Sequence, residues 1–105
     1  MFTDLTKEQI NSLLDPVTDA GQATVGITPT RILSYNTHRR LAIITNDSAA
    51  DIYLGFGSSL AVNTGIRLNA LGGSFSFGLY SDFPWLGEIW AIAAGAGNNL
   101  VYVEV

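Results

Sequence analysis

A chain of 105 residues is one domain, long enough to bury a core without covalent staples. The absence of cysteine excludes disulfide frameworks, thiolate chemistry and cysteine-based zinc sites. Charged residues make up 13%, against about 25% in an ordinary soluble domain, and five Lys and Arg at a net charge of −4 argue against nucleic acid as a partner. With 48% apolar residues, the chain covers itself with hydroxyl, amide, glycine and apolar groups in place of charge. That balance suits a surface that meets other protein chains, because interface cores are depleted in charge and enriched in aromatics. No apolar run approaches the ~20 residues of a membrane-spanning helix. Met1 is not followed by a basic and then apolar leader, so neither a membrane nor a secretory route is expected.

The first predicted element is a short helix. Thr6 as N-cap with Gln9 forms a capping box, and Leu5 with Ile10 forms a hydrophobic staple around it. Ile10, Leu13 and Leu14 give a narrow apolar face, and Asp15-Pro16 ends the helix, since the residue before proline avoids the α region. About two turns of helix are not stable alone in water, so this face must dock on its own domain or on a neighbour. Val17–Gln22 reads as a linker with Gly21 its softest point, which makes 1–22 an arm and 23–105 the folded domain.

Ala23–Thr28 and Arg31–Tyr35 then read as short strands broken at Pro29, which cannot donate to a ladder and marks an edge or corner. The centre of the sequence is Leu41–Thr45 and Ile52–Phe56, two β-rich runs around Asn46-Asp47-Ser48, predicted as a β-hairpin with a long loop. Ile52, Leu54 and Phe56 fall on one face and fix the register. After the small, polar stretch Gly57–Gly65 come a brief strand at Ile66–Asn69 and a turn at Leu71-Gly72-Gly73. In Ser74–Tyr80, Phe75, Phe77 and Leu79 alternate with Ser74, Ser76 and Gly78 as in a half-buried strand. Ser81–Leu86 is an aromatic loop, and Glu88–Ala93 with Leu100–Val105 form a closing hairpin. That hairpin echoes the central one: Ala42-Ile43 returns as Ala91-Ile92, and Ile52-Tyr53-Leu54 as Val101-Tyr102-Val103. The last strand is apolar on both faces, and as an open edge it would need a cover. Seven or eight short strands with one N-terminal helix predict an all-β antiparallel sandwich of Greek-key or jelly-roll type.

Catalytic and ligand motifs are sparse. His38 stands beside Arg39 and Arg40 without the second histidine, cysteine or carboxylates of a metal site or triad. Gly55-Phe56-Gly57-Ser58-Ser59 lacks the lysine and following helix of a phosphate loop. Asp82 and Glu88 flank Phe83-Pro84-Trp85, with Tyr80 and Trp90 nearby; two carboxylates beside aromatics are the pattern of a glycosidase pair or a sugar-stacking platform. The plainer reading has Trp85 capping the sandwich end and Trp90 in a core or subunit interface. No cofactor or metal is expected.

The ordered segments N-T-H-R-R-L-A-I-I-T-N-D-S-A-A-D-I-Y-L-G-F-G-S-S, N-T-G-I-R-L, G-G-S-F, W-L-G-E-I-W-A-I-A-A-G-A-G and V-Y-V-E-V resemble small β-sandwich domains of tailed-bacteriophage virions. Such domains occur as capsid decoration (cement) proteins and as head or tail fibre modules. The resemblance covers about residues 30–105 and carries no catalytic motif. It implies a structural protein of the outer capsid surface, made in the host cytoplasm. It also implies a homo-oligomer, with a trimer favoured, whose partner is the major capsid protein. The residues expected at capsid or subunit contacts are Leu5, Ile10, Leu13 and Leu14 of the arm, with Arg39, Phe83, Trp85, Trp90 and Tyr102 of the domain. The alternative is a fibre module touching host glycans through Tyr80, Phe83, Trp85 and Trp90, and a third reading is a hydrolase using Asp82 and Glu88.

Overall fold

A computed structural model describes residues 19–79 and 82–105. The predicted helix, with Leu5, Ile10, Leu13 and Leu14, lies outside the described residues, as do Tyr80 and Ser81. Eight strands follow in order: β1 (Asp19–Val25), β2 (Thr30–Leu33), β3 (Ala42–Asn46), β4 (Ile52–Gly55), β5 (Ile66–Leu68), β6 (Ser74–Phe77), β7 (Ile89–Ala93) and β8 (Asn98–Glu104). They form two four-stranded sheets, β1-β8-β3-β6 and β2-β7-β4-β5. Every pairing is antiparallel.

One buried cluster joins the sheets in a sandwich-like arrangement. Val25, Ala42, Ile44, Phe77 and Leu100 come from the first sheet, and Leu33, Ile52, Leu54, Leu68, Ile89, Ala91 and Ala93 from the second. Alternation along each strand explains the choice: Ala42, Ile44 and Asn46 of β3 point inward, while Ile43 and Thr45 stay half-exposed. β7 is buried almost throughout, because Ile92 on its outer side is covered as well.

Both predicted hairpins are corrected. β3 and β4 lie in different sheets, as do β7 and β8, and each connection turns a corner from one sheet to the other. A tight hairpin uses a primed turn, typically Asn-Gly or Asp-Gly. The five residues Asp47–Asp51 contain no glycine, and the preceding Asn46 points into the core. Its Nδ2 donates to the carbonyls of Ala50 (2.7 Å) and Leu68 (2.9 Å), and its Oδ1 accepts from the Ser48 amide (3.0 Å) and hydroxyl (2.6 Å). The buried Asn98 performs a matching task at the second corner, donating to the carbonyls of Val25 and Gly95. Among the described residues β4–β5 is the one consecutive strand pair that stays within a sheet. The sequence echo does not extend to orientation, for Tyr53 lies on the outer side of its sheet and Tyr102 packs on the core.

Three further expectations change. β1 begins at Asp19, so residues 19–22 belong to the sheet and not to a linker. Gly21 is the cross-strand partner of Tyr102, and a Cβ there would come 2.6 Å from the Tyr102 hydroxyl; the glycine makes room for the ring. β8 is no open edge, since it runs between β1 and β3. Leu79 leaves the alternation of β6 and is 51% exposed, because Gly78 turns the chain with φ at +140°.

Strand directions sort the loops to two ends. One end carries 26–29, 47–51, 69–73 and 94–97; the other carries 34–41, 56–65, 78–88 and the start of β1. Pro29 sits in the first of these corners, as expected of a residue unable to continue a ladder.

Candidate functional site

The second end holds the aromatic loop. Phe83 and Trp85 lie nearly parallel, 10° between planes and 6.3 Å between centroids. Phe56, just beyond β4, tilts against both, at 5.5 Å from Phe83 and 4.8 Å from Trp85. Phe75 connects Phe83 (5.9 Å) to the buried Phe77 (5.6 Å), so a chain of rings runs from the core to the surface. Phe56 and Phe83 form its exposed rim, at 41% and 38% exposure, and Tyr35 and Leu79 are exposed at the same end. Trp85 is half-buried, packs on the core and donates its indole N–H to the Glu88 carbonyl (3.0 Å). Gly87 passes so close that a Cβ would come 2.4 Å from the Trp85 ring.

Arg39 fastens this loop to the sheets and is fully buried. Its Nε donates to the Glu104 carboxylate, Nη1 to the carbonyls of Gly87 (2.9 Å) and Trp85 (3.3 Å), and Nη2 to the Ser34 carbonyl (2.7 Å). The guanidinium carbon lies 5.3 Å from the centre of the Phe77 ring, which adds a cation–π contact. Arginine suits this place because its rigid fork of donors reaches several acceptors at once, as a buried charge requires. Next to it, Nη1 of Arg40 is buried with no hydrogen-bond partner among the described residues.

Trp90 lies on the outer side of its sheet, where its indole N–H donates to Glu88 Oε1 (3.2 Å), while Arg31 pairs with Glu88 Oε2 (3.1 Å). The Trp90 bond, then Arg31, hold the Glu88 carboxyl below its usual range. A glycosidase acid needs the opposite shift, toward the protonated form. Glu88 is therefore engaged as an anion in a surface network, and Asp82 lies exposed in the loop before it.

Of the residues expected at contacts, Phe83 and Trp85 come together at one end. Trp90 joins them only through Glu88. Arg39 is fully buried on its ion pair within the chain, and Tyr102 is half-buried with its ring against Gly21. The isolated sequence position of Phe56 and Phe75 concealed their membership of the ring chain. Gly55, the last residue of β4 before Phe56, leaves room for the Leu60 side chain, 2.8 Å from where a Cβ would stand. Among the described residues no cluster of His, Asp or Glu is arranged to hold a metal. No protein-family model matches the chain, and neither a curated protein nor a solved structure matches it.

Proposed function

We propose that the chain is a capsid decoration protein of a tailed bacteriophage: a homo-oligomer, trimeric by the sequence resemblance, that clamps the major capsid protein from outside. The observation that carries the proposal is a coincidence of place. The start of β1, where residues 1–18 attach, stands at the same end of the sheets as the exposed Phe56–Phe83 rim. An arm and an apolar rim at one end suit attachment to a continuous protein surface. Many modest contacts repeated over a lattice then sum to firm binding, because each tethered contact raises the effective concentration of the next. The strand orders β1-β8-β3-β6 and β2-β7-β4-β5 support a jelly-roll sandwich, in which sequential strands alternate between sheets. The experiment is addition of the protein to purified empty capsids. The full chain saturates the shells, whereas a chain starting at Asp19 stays folded and binds less. Equal affinity of the two forms refutes the role of the arm.

A second reading, a fibre module for glycans, rests on the near-parallel, partly exposed Phe83 and Trp85 rings. Phe83→Ala distinguishes the two: under this reading it abolishes glycan binding and leaves capsid attachment of the virion protein unchanged.

A further inference from the structure

Two adjacent arginines enter the fold with opposite outcomes. Arg39 buries its charge against Glu104 and the carbonyls of Trp85, Gly87 and Ser34. Arg40 is half-buried, its Nη1 is buried without a hydrogen-bond partner, and no ion pair reaches it, among the described residues. A guanidinium drawn out of water without an anion costs free energy, and folded chains ordinarily pair such a charge. The carboxylates at this end leave it unanswered. Glu104 is held by Arg39 and Glu88 by Arg31, and the exposed Asp82 forms no ion pair among the described residues.

The place of Arg40 is a second observation. Its amide donates to the Val105 carbonyl (2.7 Å), and its own carbonyl lies 2.4 Å from where a Cβ of Gly78 would stand. The Gly78 amide in turn donates to the Phe83 carbonyl (2.9 Å). Arg40 therefore stands at the foot of the aromatic loop. Its sequence neighbour Leu41 and the Gly78 neighbour Leu79 are exposed, and the Phe56–Phe83 rim lies at the same end.

We propose that Arg40 receives a carboxylate from the protein that docks on the aromatic end, so that the docking segment is apolar and carries an acidic side chain. Charge complementarity chooses this occupant. A phosphate-bearing polymer tracks several cations, whereas Arg39 and Arg31 are already engaged within the chain and Arg40 stands alone. One cation among apolar groups matches one carboxylate on an otherwise apolar protein surface. Guanidinium and carboxylate can meet through two parallel hydrogen bonds, which fixes the angle of docking as well. A surface with a neutral or basic residue at that point would leave the cation buried and unpaired, so Arg40 also rejects wrong partners. The inference rests on the proposed function for the identity of the partner, the major capsid protein, and adds the chemistry of the contact.

The test has two arms. In the first, the arginine Nε–H signals of the full chain are followed by NMR while sodium phenylacetate, phenylacetamide or inorganic phosphate is added at constant ionic strength. Phenylacetate joins a ring to a carboxylate, and it shifts the Arg40 signal saturably at concentrations where the other two do not. No saturable shift overturns the proposal, and so does an equal response to the amide or to phosphate. In the second arm, Arg40→Met is compared with the wild type in melting temperature and in binding to purified empty capsids. The variant melts no lower, yet binds shells about tenfold or more weakly. Unchanged affinity overturns the proposal. A lower melting temperature does so too, because the cation would then be satisfied in the free chain. A wild type that does not bind shells tells against the capsid reading, and the phenylacetate arm then decides the Arg40 site by itself.

Discussion

Replacing Arg39 by Met tests the clamp that holds the aromatic end. Methionine fills much of the same volume but removes every donor. The Glu104 side chain, 14% exposed, is then left without its cation, and the carbonyls of Ser34, Trp85 and Gly87 lose their bonds. Breaking a buried ion pair from one side costs about 3–5 kcal/mol. Against a total stability of roughly 5–15 kcal/mol, that is a large share. The melting temperature is expected to fall by about 15 °C or more. Urea denaturation with an unchanged m-value reads the loss directly. Glu104→Gln keeps an acceptor and costs about 2 kcal/mol. The double change Arg39→Met with Glu104→Leu recovers part of the single loss, because no charge is then stranded. Arg40→Met is the internal comparison: its buried Nη1 has no partner to lose among the described residues, so the change is expected to cost nothing and to raise stability by up to about 1–3 kcal/mol. An Arg39→Met protein within about 1 kcal/mol of wild type would refute the clamp.

Other outcomes follow from single positions. Gly78→Ala places a Cβ 2.4 Å from the Arg40 carbonyl at a φ of +140°, and should cost more than about 2 kcal/mol by urea melt, whereas Gly72→Ala, strained in φ alone, costs about 1 kcal/mol. Leu71 holds a φ of +59° with its side chain 82% exposed, so Leu71→Asn is expected to stabilise the domain by about 0.5–1 kcal/mol; a loss would mean that the leucine has a packing role. The lowered Glu88 pKa makes its contribution present above the unfolded carboxylate pKa and lost as pH falls through the folded one. Trp90→Phe and Arg31→Gln should each raise the Glu88 pKa, measured by NMR titration of the carboxyl; a pKa unmoved by either change contradicts the network.

The positions of β2 to β8 are readable to within a few residues from period-two runs and their breakers, because burial of alternate residues is a local signature, whereas the first half of β1 reads as a linker. Which strands pair is not local. Asn46 and Asn98 look like turn residues in sequence, and their inward direction, which makes corners of both supposed hairpins, appears only when the second sheet is in place. The same holds for Gly21, whose partner Tyr102 is far along the chain. At the aromatic end, Phe83 and Trp85 were legible as a pair from one loop. Arg39 was not legible as a buried clamp, because its acceptors are mostly backbone carbonyls of distant segments.

Imaging purified shells saturated with the full chain tests the decoration proposal most directly. The account predicts density at regular lattice positions on the outer surface, with the 78–88 loop and the start of β1 turned to the shell. Shells that stay bare, or copies seated by the loops 26–29 and 69–73 instead, would contradict it.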